Sequence, residues 1–524
     1  MELDLRGVQQ PELVFGLVGA LGSPMGKVVD LLTSKLGEVG YDAEEIRLSD
    51  FLDAYELPTV RPEVSDSPYV RYSRLMSRGN ELRELLGRGD ALAMHAAVKI
   101  YNRRAESGSR ALERRSFILR QLKHPEEVRL LRQIYGEGFH LIGVYTPEKV
   151  RSEYLRNALE MSSKDAAELL QRDAGEEVAF GQQVTRTFHL ADLFIAVMGY
   201  DDENIRHAGR EIDRYIDLLF GRRIVTPTVD EYGMFLAHAA ALRSGDLSRQ
   251  VGAAILADTG EVISLGTNEV PCAGGGQYWG GEADDRDFVR GYDANEKMKY
   301  ECLREVLESL QGDEWRGLSA QEQQGRVFDL AAKLANSRLM NLTEFGRAVH
   351  AEMEAILSAA RLGVSVRGKS LFVTTFPCHN CAKHIVGSGL RRVVYIEPYA
   401  KSLADRLHGD AIAFSLGEEY REGEGGQHPR RIPFEPFCGV APRRFSDLFG
   451  MVERDGTRIK RKVRGGEVRR DPTGLRTMIS PLTHVDREAM VADFLNRTMT
   501  RLTKLAACVA NPIGQLPSPR CRGW

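Results

Sequence analysis

Three residues with metal-binding side chains and one carboxylate beside them lie in two short segments of this 524-residue chain. His350 and Glu352 belong to VHAEMEAI, and Cys378 and Cys381 follow in TTFPCHNC. One imidazole and two thiolates suit zinc, and three protein ligands leave one tetrahedral position open for water. Residues two apart at a helix start do not face the same way, so Glu352 is predicted to accept a proton from that water, not to bind the ion.

Simpler explanations apply to each segment taken alone. An ordinary surface helix would account for VHAEME, and an incidental cysteine pair would account for CHNC. Their combination in one order, with 24 residues between Glu352 and Pro377, favours a metal site. His379, inside the cysteine pair, is an alternative ligand, and Cys272 leaves a second metal site open.

The segments around these residues predict an α/β unit. VGAAILA and VISLGTN are predicted strands joined by DTGE, a hairpin sequence. SLFVTTF and RRVVYIEP are predicted strands on either side of the cysteine segment, and the HAE segment is a predicted helix. Pro377 disfavours helix in the residue before it, so both thiolates are expected at the start of the next helix, where the helix dipole favours ionised sulfur.

The first third of the chain alternates strand and helix patterns. LVFGLVGAL predicts a buried strand, and RRSFILRQL and FHLIGVYTP predict further strands. In MGKVVDLLTSKLGEVGY the apolar residues Val28, Leu31, Leu32 and Leu36 fall on one helix face. HPEEVRLLRQIYG predicts a helix with proline and acidic residues in its first turn. This alternation predicts a parallel sheet and an α/β fold.

Length and composition predict a protein of several domains. At roughly 100–200 residues per domain, the chain has room for two or three. Gly and Pro interrupt the pattern in FGRRIVTPTVDEYG, so we expect domains at 1–225 and 226–445 and a basic, then helical, extension at 446–524. The basic run at 443–470 is either a solvated arm or interface rim, or a local nucleic-acid site.

Composition also narrows the class of protein. The chain has seven cysteines, of which only Cys378 and Cys381 lie close together, so a disulfide framework is not expected. We find no apolar run long enough for a membrane span and no basic region ahead of the first apolar run, so we expect a cytoplasmic protein without membrane association. The net charge of −3 gives no reason to expect nucleic-acid binding by the whole molecule.

The H-x-E and P-C-x-x-C motifs resemble those of the zinc-dependent cytidine and deoxycytidylate deaminase superfamily. The resemblance extends from about residue 230 to 402 through SGDLSRQVGAAI, GTNEVP and RRVVYIEPYAKS. It implies a deaminase-like α/β/α domain that binds Zn²⁺. It also implies that Asn268 hydrogen-bonds the sugar of a nucleotide, and that Arg249, Tyr399 and Lys401 contact its phosphates. A structural salt bridge is an equally weighted alternative for Arg249.

A narrower resemblance involves the first domain as well. LKHPEEVRLLRQIYGEGFHLIGVY, GQQVTRTFHLADLFI and GGGQYW…DDRDF resemble the bacterial antiphage deoxycytidylate deaminases. The resemblance implies hydrolytic deamination of dCTP and dCMP, which depletes dCTP during infection. It further implies a homo-oligomer and leaves open a nucleotide or RNA regulator. Two alternatives remain: a deaminase of RNA or single-stranded DNA, and a nucleotide-sensing protein with an inert zinc unit.

The loop GLVGALGSPMGKV resembles a phosphate-binding loop of P-loop kinases, with Gly19, Gly22, Gly26 and Lys27 as candidate nucleotide-binding residues. The regular pattern requires Ser or Thr after the lysine, where Val28 stands. The usual magnesium-binding hydroxyl is therefore missing. The alternatives are a regulatory nucleotide-binding domain with little kinase activity, a structural or infection-sensing domain, and an active kinase.

Overall fold

The computed structural model describes residues 11–54, 67–106, 112–176, 180–222, 224–281, 283–335, 337–399, 402–414, 431–451, 458 and 481–509. The chain divides into two compact units. One comprises Met1–Val225 with Gly450–Trp524, and the other comprises Thr226–Phe449. Within the described ranges, every helix is too short or too polar to cross a membrane.

The first unit alternates strands and helices. In chain order its elements are β1 (Leu13–Gly19), α1 (Met25–Glu38), β2 (Asp42–Arg47), α2 (Pro68–Leu86), α3 (Ala91–Glu106), β3 (Arg115–Arg120), α4 (Pro125–Tyr135), β4 (Phe139–Tyr145), α5 (Glu148–Asn157), α6 (Ser163–Ala174), α7 (Val184–Phe188), β5 (Leu193–Ala196) and α8 (Asp202–Phe220). The strand order is β2-β3-β1-β4-β5, and these neighbours pair in parallel. The predicted parallel sheet is confirmed.

Local sequence explains these elements. All seven residues of β1 are buried, as expected for a parallel strand covered on both faces. Helix α4 begins with a capping box: His124 accepts the N–H of Glu126 at 3.3 Å, and Glu127 accepts the N–H of His124 at 3.0 Å. The predicted helix at HPEEVRLLRQIYG is confirmed.

The second unit contains a mixed sheet. Its elements are α9 (Val229–Ala241), β6 (Gly252–Leu256), β7 (Val262–Thr267), α10 (Asp287–Arg290), α11 (Ala294–Gln311), α12 (Asp313–Arg316), α13 (Ala320–Lys333), α14 (Ala351–Arg361), β8 (Ser370–Thr375), α15 (His379–Ser388), β9 (Arg392–Glu397), α16 (Ala404–His408), β10 (Ile412–Ala413), β11 (Ile432–Pro436), β12 (Gly439–Val440) and α17 (Phe445–Phe449). The sheet order is β10-β11-β9-β8-β6-β7. β6 pairs antiparallel with β7 and β8, which confirms the hairpin at DTGE, and the remaining pairs are parallel.

Helices α10 to α13 form an insert between β7 and α14. The insert has a small core of its own, in which Leu303, Leu307 and Val327 pack around the buried Trp315. A final helix, α18 (Pro481–Val509), belongs to the first unit, where it packs on α3 and α4. Arg104 of α3 pairs there with Glu12 at 2.7 Å and with Glu488 of α18. The prediction of a helix near the C-terminal end is confirmed, whereas most of the basic run lies outside the described residues.

Two glycines of the second sheet allow helices to lie directly on its opposite faces. A Cβ atom on Gly252 would stand 1.9 Å from the carbonyl oxygen of Ala237 in α9. A Cβ atom on Gly266 would stand 2.0 Å from the carbonyl oxygen of Ala351 in α14. Only hydrogen fits at these positions, so the sheet fixes how closely α14, the helix that follows His350, can approach.

Replacement of Gly266 by alanine is therefore expected to displace α14. We expect Gly266→Ala to lower the free energy of unfolding by about 1–3 kcal/mol, the usual cost of overpacking a core, as measured by urea denaturation. Gly325→Ala is the matched control, because Gly325 lies on α13 with nothing within 4 Å of an added Cβ. The control is expected to gain roughly 0.5–1 kcal/mol. Equal stabilities of the two variants would contradict the close contact at Gly266.

Candidate metal centre

His350 is the residue at which α14 begins. Its backbone is extended, with φ −66° and ψ 151°, and its side chain does not cap the helix. The preceding Val349 forms an antiparallel bridge with Glu269, in which the two N–H···O distances are 3.0 and 3.2 Å. The end of β7 therefore holds the backbone just before the imidazole.

The two cysteines lie at the start of α15. Cys378 is the N-cap residue, and its Sγ accepts the N–H of Cys381 at 3.5 Å. The hydroxyl of Ser402 donates a hydrogen bond of 2.9 Å to the carbonyl oxygen of Pro377. The end of β8 and this proline thus place both cysteines at the start of α15, as the sequence predicted.

The three side chains meet in one cluster. Nδ1 of His350 lies 3.2 Å from Sγ of Cys381 and 3.3 Å from Sγ of Cys378, and the three donor atoms all lie within 4.8 Å of one another. Tetrahedral zinc, with Zn–N near 2.0 Å and Zn–S near 2.3 Å, would separate such atoms by about 3.5 Å. Both cysteines are buried, and this is the only such group of His, Cys, Asp and Glu found in the described part of the chain. Donor chemistry and spacing both fit zinc.

Glu352 lies against this cluster and does not belong to the donor group. Its side chain is only 4% exposed and hydrogen-bonds with Cys381. Burial, reinforced by the charge of Cys378, raises the pKa of Glu352 to about 7. A carboxyl group with this pKa can both accept and donate a proton near neutral pH.

The cluster also favours ionised sulfur at one cysteine. Hydrogen bonds from Cys381 and His350 lower the pKa of Cys378 to about 4. The contact with Cys378 and burial raise the pKa of Cys381 above its ordinary value. A divalent cation displaces the protons shared in these contacts and stabilises both thiolates.

Comparison with known proteins identifies the family of this cluster. The family described as the cytidine and deoxycytidylate deaminase zinc-binding region matches residues 227–397, which contain all four residues. The deoxycytidylate deaminase of Enterobacteria phage T2 is 31% identical over 167 residues, which are 32% of this chain and 79% of the phage protein. The chain belongs to the cytidine and deoxycytidylate deaminase family. It is a deaminase with a zinc-binding region.

Other relatives match shorter or more divergent parts of the deaminase. The deoxycytidylate deaminase of Enterobacteria phage T4 is 50% identical over 54 residues, which are 10% of this chain and 28% of that protein. The crystal structure of the dCMP deaminase from the cyanophage S-TIM5 in apo form aligns with 41% of this chain and 100% of its own. Identity in that alignment is 15% and the TM-score is 0.21.

Asn268 lies at the end of β7 with its amide already hydrogen-bonded to backbone groups. Its Oδ1 accepts the N–H of Val251 at 2.7 Å, and its Nδ2 donates to the carbonyl oxygen of Arg249 at 2.9 Å. The side chain is 7% exposed. A primary amide has further hydrogen-bonding capacity on both atoms, so this bracing role is compatible with the predicted contact to a sugar.

Arg249 and Tyr399 lie together beside the cluster. The guanidinium group of Arg249 is 5.4 Å from the centre of the Tyr399 ring, and its Nη1 is 3.7 Å from Oε1 of Glu397. Burial and then the charge of Cys378 raise the pKa of Tyr399. The ion pair with Glu397 is substantially exposed and contributes little stability, so both predicted roles of Arg249 stay open. Lys401 lies outside the described residues.

A protein carboxylate accepts a backbone N–H at the candidate phosphate-binding loop of the first unit. Gly22, with φ +84°, follows Leu21, whose N–H donates to the fully buried Asp173 at 2.6 Å. Asp173 also accepts a hydrogen bond of 2.6 Å from Lys123. A carboxylate thus takes a backbone N–H that a phosphate-binding loop would offer to phosphate.

The other candidates in this loop are placed as follows. Gly19 is the last residue of β1, and Gly26 and Lys27 lie in the first turn of α1 with the Lys27 side chain exposed. Val28 is buried in the core. The structure therefore brings these residues to one end of the sheet without the hydroxyl that usually binds magnesium.

Two residues that position the site were missed in the sequence. Ser402 holds the turn before Cys378, and Glu269, which is 1% exposed, holds the loop that leads to Arg249. Ser402 closes the segment RRVVYIEPYAKS, so its place in the family motif was an available signal. Glu269 lies in the motif GTNEVP, but its ionic partner could not be read from the sequence, because Arg286 follows 17 residues later.

Proposed function

We propose that this deaminase converts deoxycytidine nucleotides to deoxyuridine nucleotides by hydrolysis: dCTP to dUTP, dCMP to dUMP, or both, with release of ammonia. The observation that carries the proposal is the His350, Cys378 and Cys381 cluster with the buried carboxyl group of Glu352 against it. The names of the phage T2 and T4 relatives support deoxycytidylate as the substrate class.

In the proposed mechanism, His350, Cys378 and Cys381 hold the zinc ion. Zinc supplies a Lewis acid that allows water to ionise near neutral pH. Glu352 accepts a proton from the attacking water and passes it to N3 of cytosine while the water oxygen bonds to C4. Glu352 then delivers the second proton of the water to the departing amine. The C4–N bond breaks, ammonia leaves, and the oxygen remains as the carbonyl group of uracil.

Four residues are proposed to bind the nucleotide. Asn268 is proposed to contact the sugar, and Arg249, Tyr399 and Lys401 are proposed to contact the phosphates. Support comes from the positions of Asn268, Arg249 and Tyr399 around one loop beside the cluster. The planar guanidinium fork of Arg249 suits phosphate oxygens.

The proposed consequence in the cell is depletion of dCTP, which would restrict phage replication. This proposal follows from the sequence resemblance to the bacterial antiphage deaminases, as do assembly into a homo-oligomer and control by a nucleotide or an RNA.

For the first unit we propose a domain organisation like that of P-loop kinases, with a regulatory role and no phosphoryl transfer. The buried Asp173 at the loop and the missing hydroxyl at Val28 support that choice over an active kinase.

The purified full-length chain can be tested with dCTP, dCMP, CTP and a short cytosine-containing oligonucleotide, with products separated by chromatography. We expect dUTP or dUMP and equimolar ammonia from free deoxynucleotides, no conversion of the oligonucleotide, and no phosphorylated product when ATP is added to dCMP. Parallel reactions with dTTP or dGTP test regulation. Conversion of the oligonucleotide alone would favour a polynucleotide deaminase, and absence of ammonia in every reaction would favour an inert zinc unit.

A further inference from the structure

The carboxylate of Glu269 is buried directly behind the proposed nucleotide-binding loop. It follows Asn268 in the chain, and its Oε2 accepts the N–H of Gly245 at 2.8 Å. Its Oε1 accepts the N–H of Val270 at 2.9 Å. The carboxylate therefore joins the end of β7 to the start of the loop that carries Arg249.

Glu269 is paired with an arginine of the helical insert. Nη1 of Arg286 lies 3.0 Å from Oε2 of Glu269, and the two side chains are 11% and 2% exposed. Arg286 is itself held by Asp284 through two hydrogen bonds of 2.8 and 2.7 Å. Loss of Arg286 would remove the paired charge of the buried Glu269 carboxylate, whereas loss of Glu269 would leave Arg286 paired with Asp284, so the carboxylate constrains where the insert can rest.

Apolar packing reinforces this contact. The guanidinium carbon of Arg286 is 4.7 Å from the centre of the Phe288 ring. A Cβ atom on Gly245 would stand 2.7 Å from that ring, so Phe288 packs against the loop backbone. The insert thus touches the nucleotide-binding loop through a charge pair and an aromatic ring.

Both ends of the insert lie at the active site. It leaves the sheet just after Asn268 and returns at Val349, one residue before His350. Arg347 ties the returning segment to the start of the insert, because its Nη1 donates to the carbonyl oxygen of Asp285 at 2.9 Å and to Asp287 at 2.7 Å. Whatever moves the insert therefore acts on both the nucleotide loop and the approach to the cluster.

We propose that Glu269 is a positioning residue for nucleotide binding, which anchors the loop Ser244–Arg249 and Asn268 to the insert through Arg286. This inference rests on the proposed function. Its effect on zinc should be small, because the bridge between Glu269 and Val349 uses only backbone groups. The side chain of Glu269 governs the nucleotide loop, whereas its backbone holds the residue before His350.

The decisive variant is Glu269→Gln, which keeps the shape and a hydrogen-bond acceptor but removes the charge. We expect KM for the deoxycytidine nucleotide to rise about tenfold or more, because the loop that positions the nucleotide loosens, while kcat stays near the wild-type value. One zinc per chain is expected. Arg286→Met should give the same pattern, the double variant should be no worse than either single variant, and Arg286→Lys should restore part of the loss.

Arg290→Met is the matched control. Arg290 is a more exposed arginine of the same segment and pairs with Asp285 rather than with Glu269. It is expected to leave KM, kcat and zinc unchanged. An unchanged KM in zinc-replete Glu269→Gln would overturn the inference, as would parallel losses of zinc, kcat and affinity, which would indicate a merely structural role.

Hydrogen–deuterium exchange separates failure of this inference from failure of the proposed function. Backbone amides of residues 244–251 are expected to exchange faster in Glu269→Gln than in the wild type, with α14 unchanged. This readout needs no substrate. If the wild type released no ammonia from any cytosine nucleotide, the proposed function would fail, and unchanged exchange at 244–251 would still reject the anchoring role of Glu269.

Discussion

Glu352→Gln is expected to lower kcat for deamination by about 10²–10⁴-fold, the range typical of a lost general acid–base group. The amide keeps the size of the side chain but cannot take a proton from water at neutral pH. The three donor atoms of His350, Cys378 and Cys381 remain in place, so one zinc per chain is expected to stay bound. Ammonia release measures the rate, and elemental analysis of the same sample measures zinc.

A carboxylate on the same helix provides the control for this substitution. Glu354 is also buried, but its Oε1 accepts a hydrogen bond of 2.5 Å from Arg361. Within the described residues its carboxylate does not contact the three donor atoms, whereas the carboxylate of Glu352 hydrogen-bonds with Cys381. Glu354→Gln is expected to retain zinc and most of the activity. Near wild-type deamination by Glu352→Gln would contradict the assigned role of Glu352 in proton transfer. Loss of zinc from that variant would mean that Glu352 is a ligand.

The metal centre could be predicted from sequence because its geometry is local. His350 and Glu352 share the start of one helix, and Cys378 and Cys381 share one helical turn, so their spacing specifies most of their relative positions. Only the meeting of α14 with α15 depends on the rest of the fold. Strands such as β1 could also be predicted from the sequence, because a strand that is buried on both faces is almost wholly apolar.

Contacts between distant parts of the chain could not be predicted in this way. Asp173 reaches the N–H of Leu21 across 152 positions of sequence. The sequence does not distinguish Gly266 from other strand glycines, and its close contact with α14 is evident only in the structure. The charge pair of Glu269 and Arg286 joins two motifs, GTNEVP and DDRDF, whose sequences do not show that they meet. A charged residue such as Asp173 or a small residue such as Gly266 could contact many parts of the chain, and only the folded structure shows which contact forms.

The position of Asn268 shows a different limit of sequence reasoning. Resemblance to the deaminases suggested a contact with the nucleotide sugar. The structure adds that the same amide braces the backbone at Arg249 and Val251. A substitution at Asn268 would therefore disturb the loop and the proposed sugar contact together, which makes Glu269, one residue away, the cleaner probe of loop position.

Cys381→Ala is expected to weaken zinc binding by more than 100-fold and to abolish deamination. Loss of a partner outside the ligand set typically costs about 10–100-fold in metal affinity, so loss of one of three ligands should cost more. The sulfur of Cys381 is fully buried between Cys378 and His350, which leaves no exposed route for a substitute ligand. Dialysis of the wild type against a chelator should likewise abolish ammonia release, and added Zn²⁺ should restore it in the wild type but not in the variant.

Cys272→Ala is the matched control for loss of a thiol from the same unit. Cys272 is partly exposed, and its Sγ donates to the carbonyl oxygen of Gly275 in the turn after β7. Because it lies outside the donor group, the control should keep one zinc and wild-type activity. Loss of zinc from Cys272→Ala would instead indicate a second metal site. Stoichiometric zinc in Cys381→Ala would show that the cluster is not the metal centre, because two remaining donors cannot hold the ion as three do.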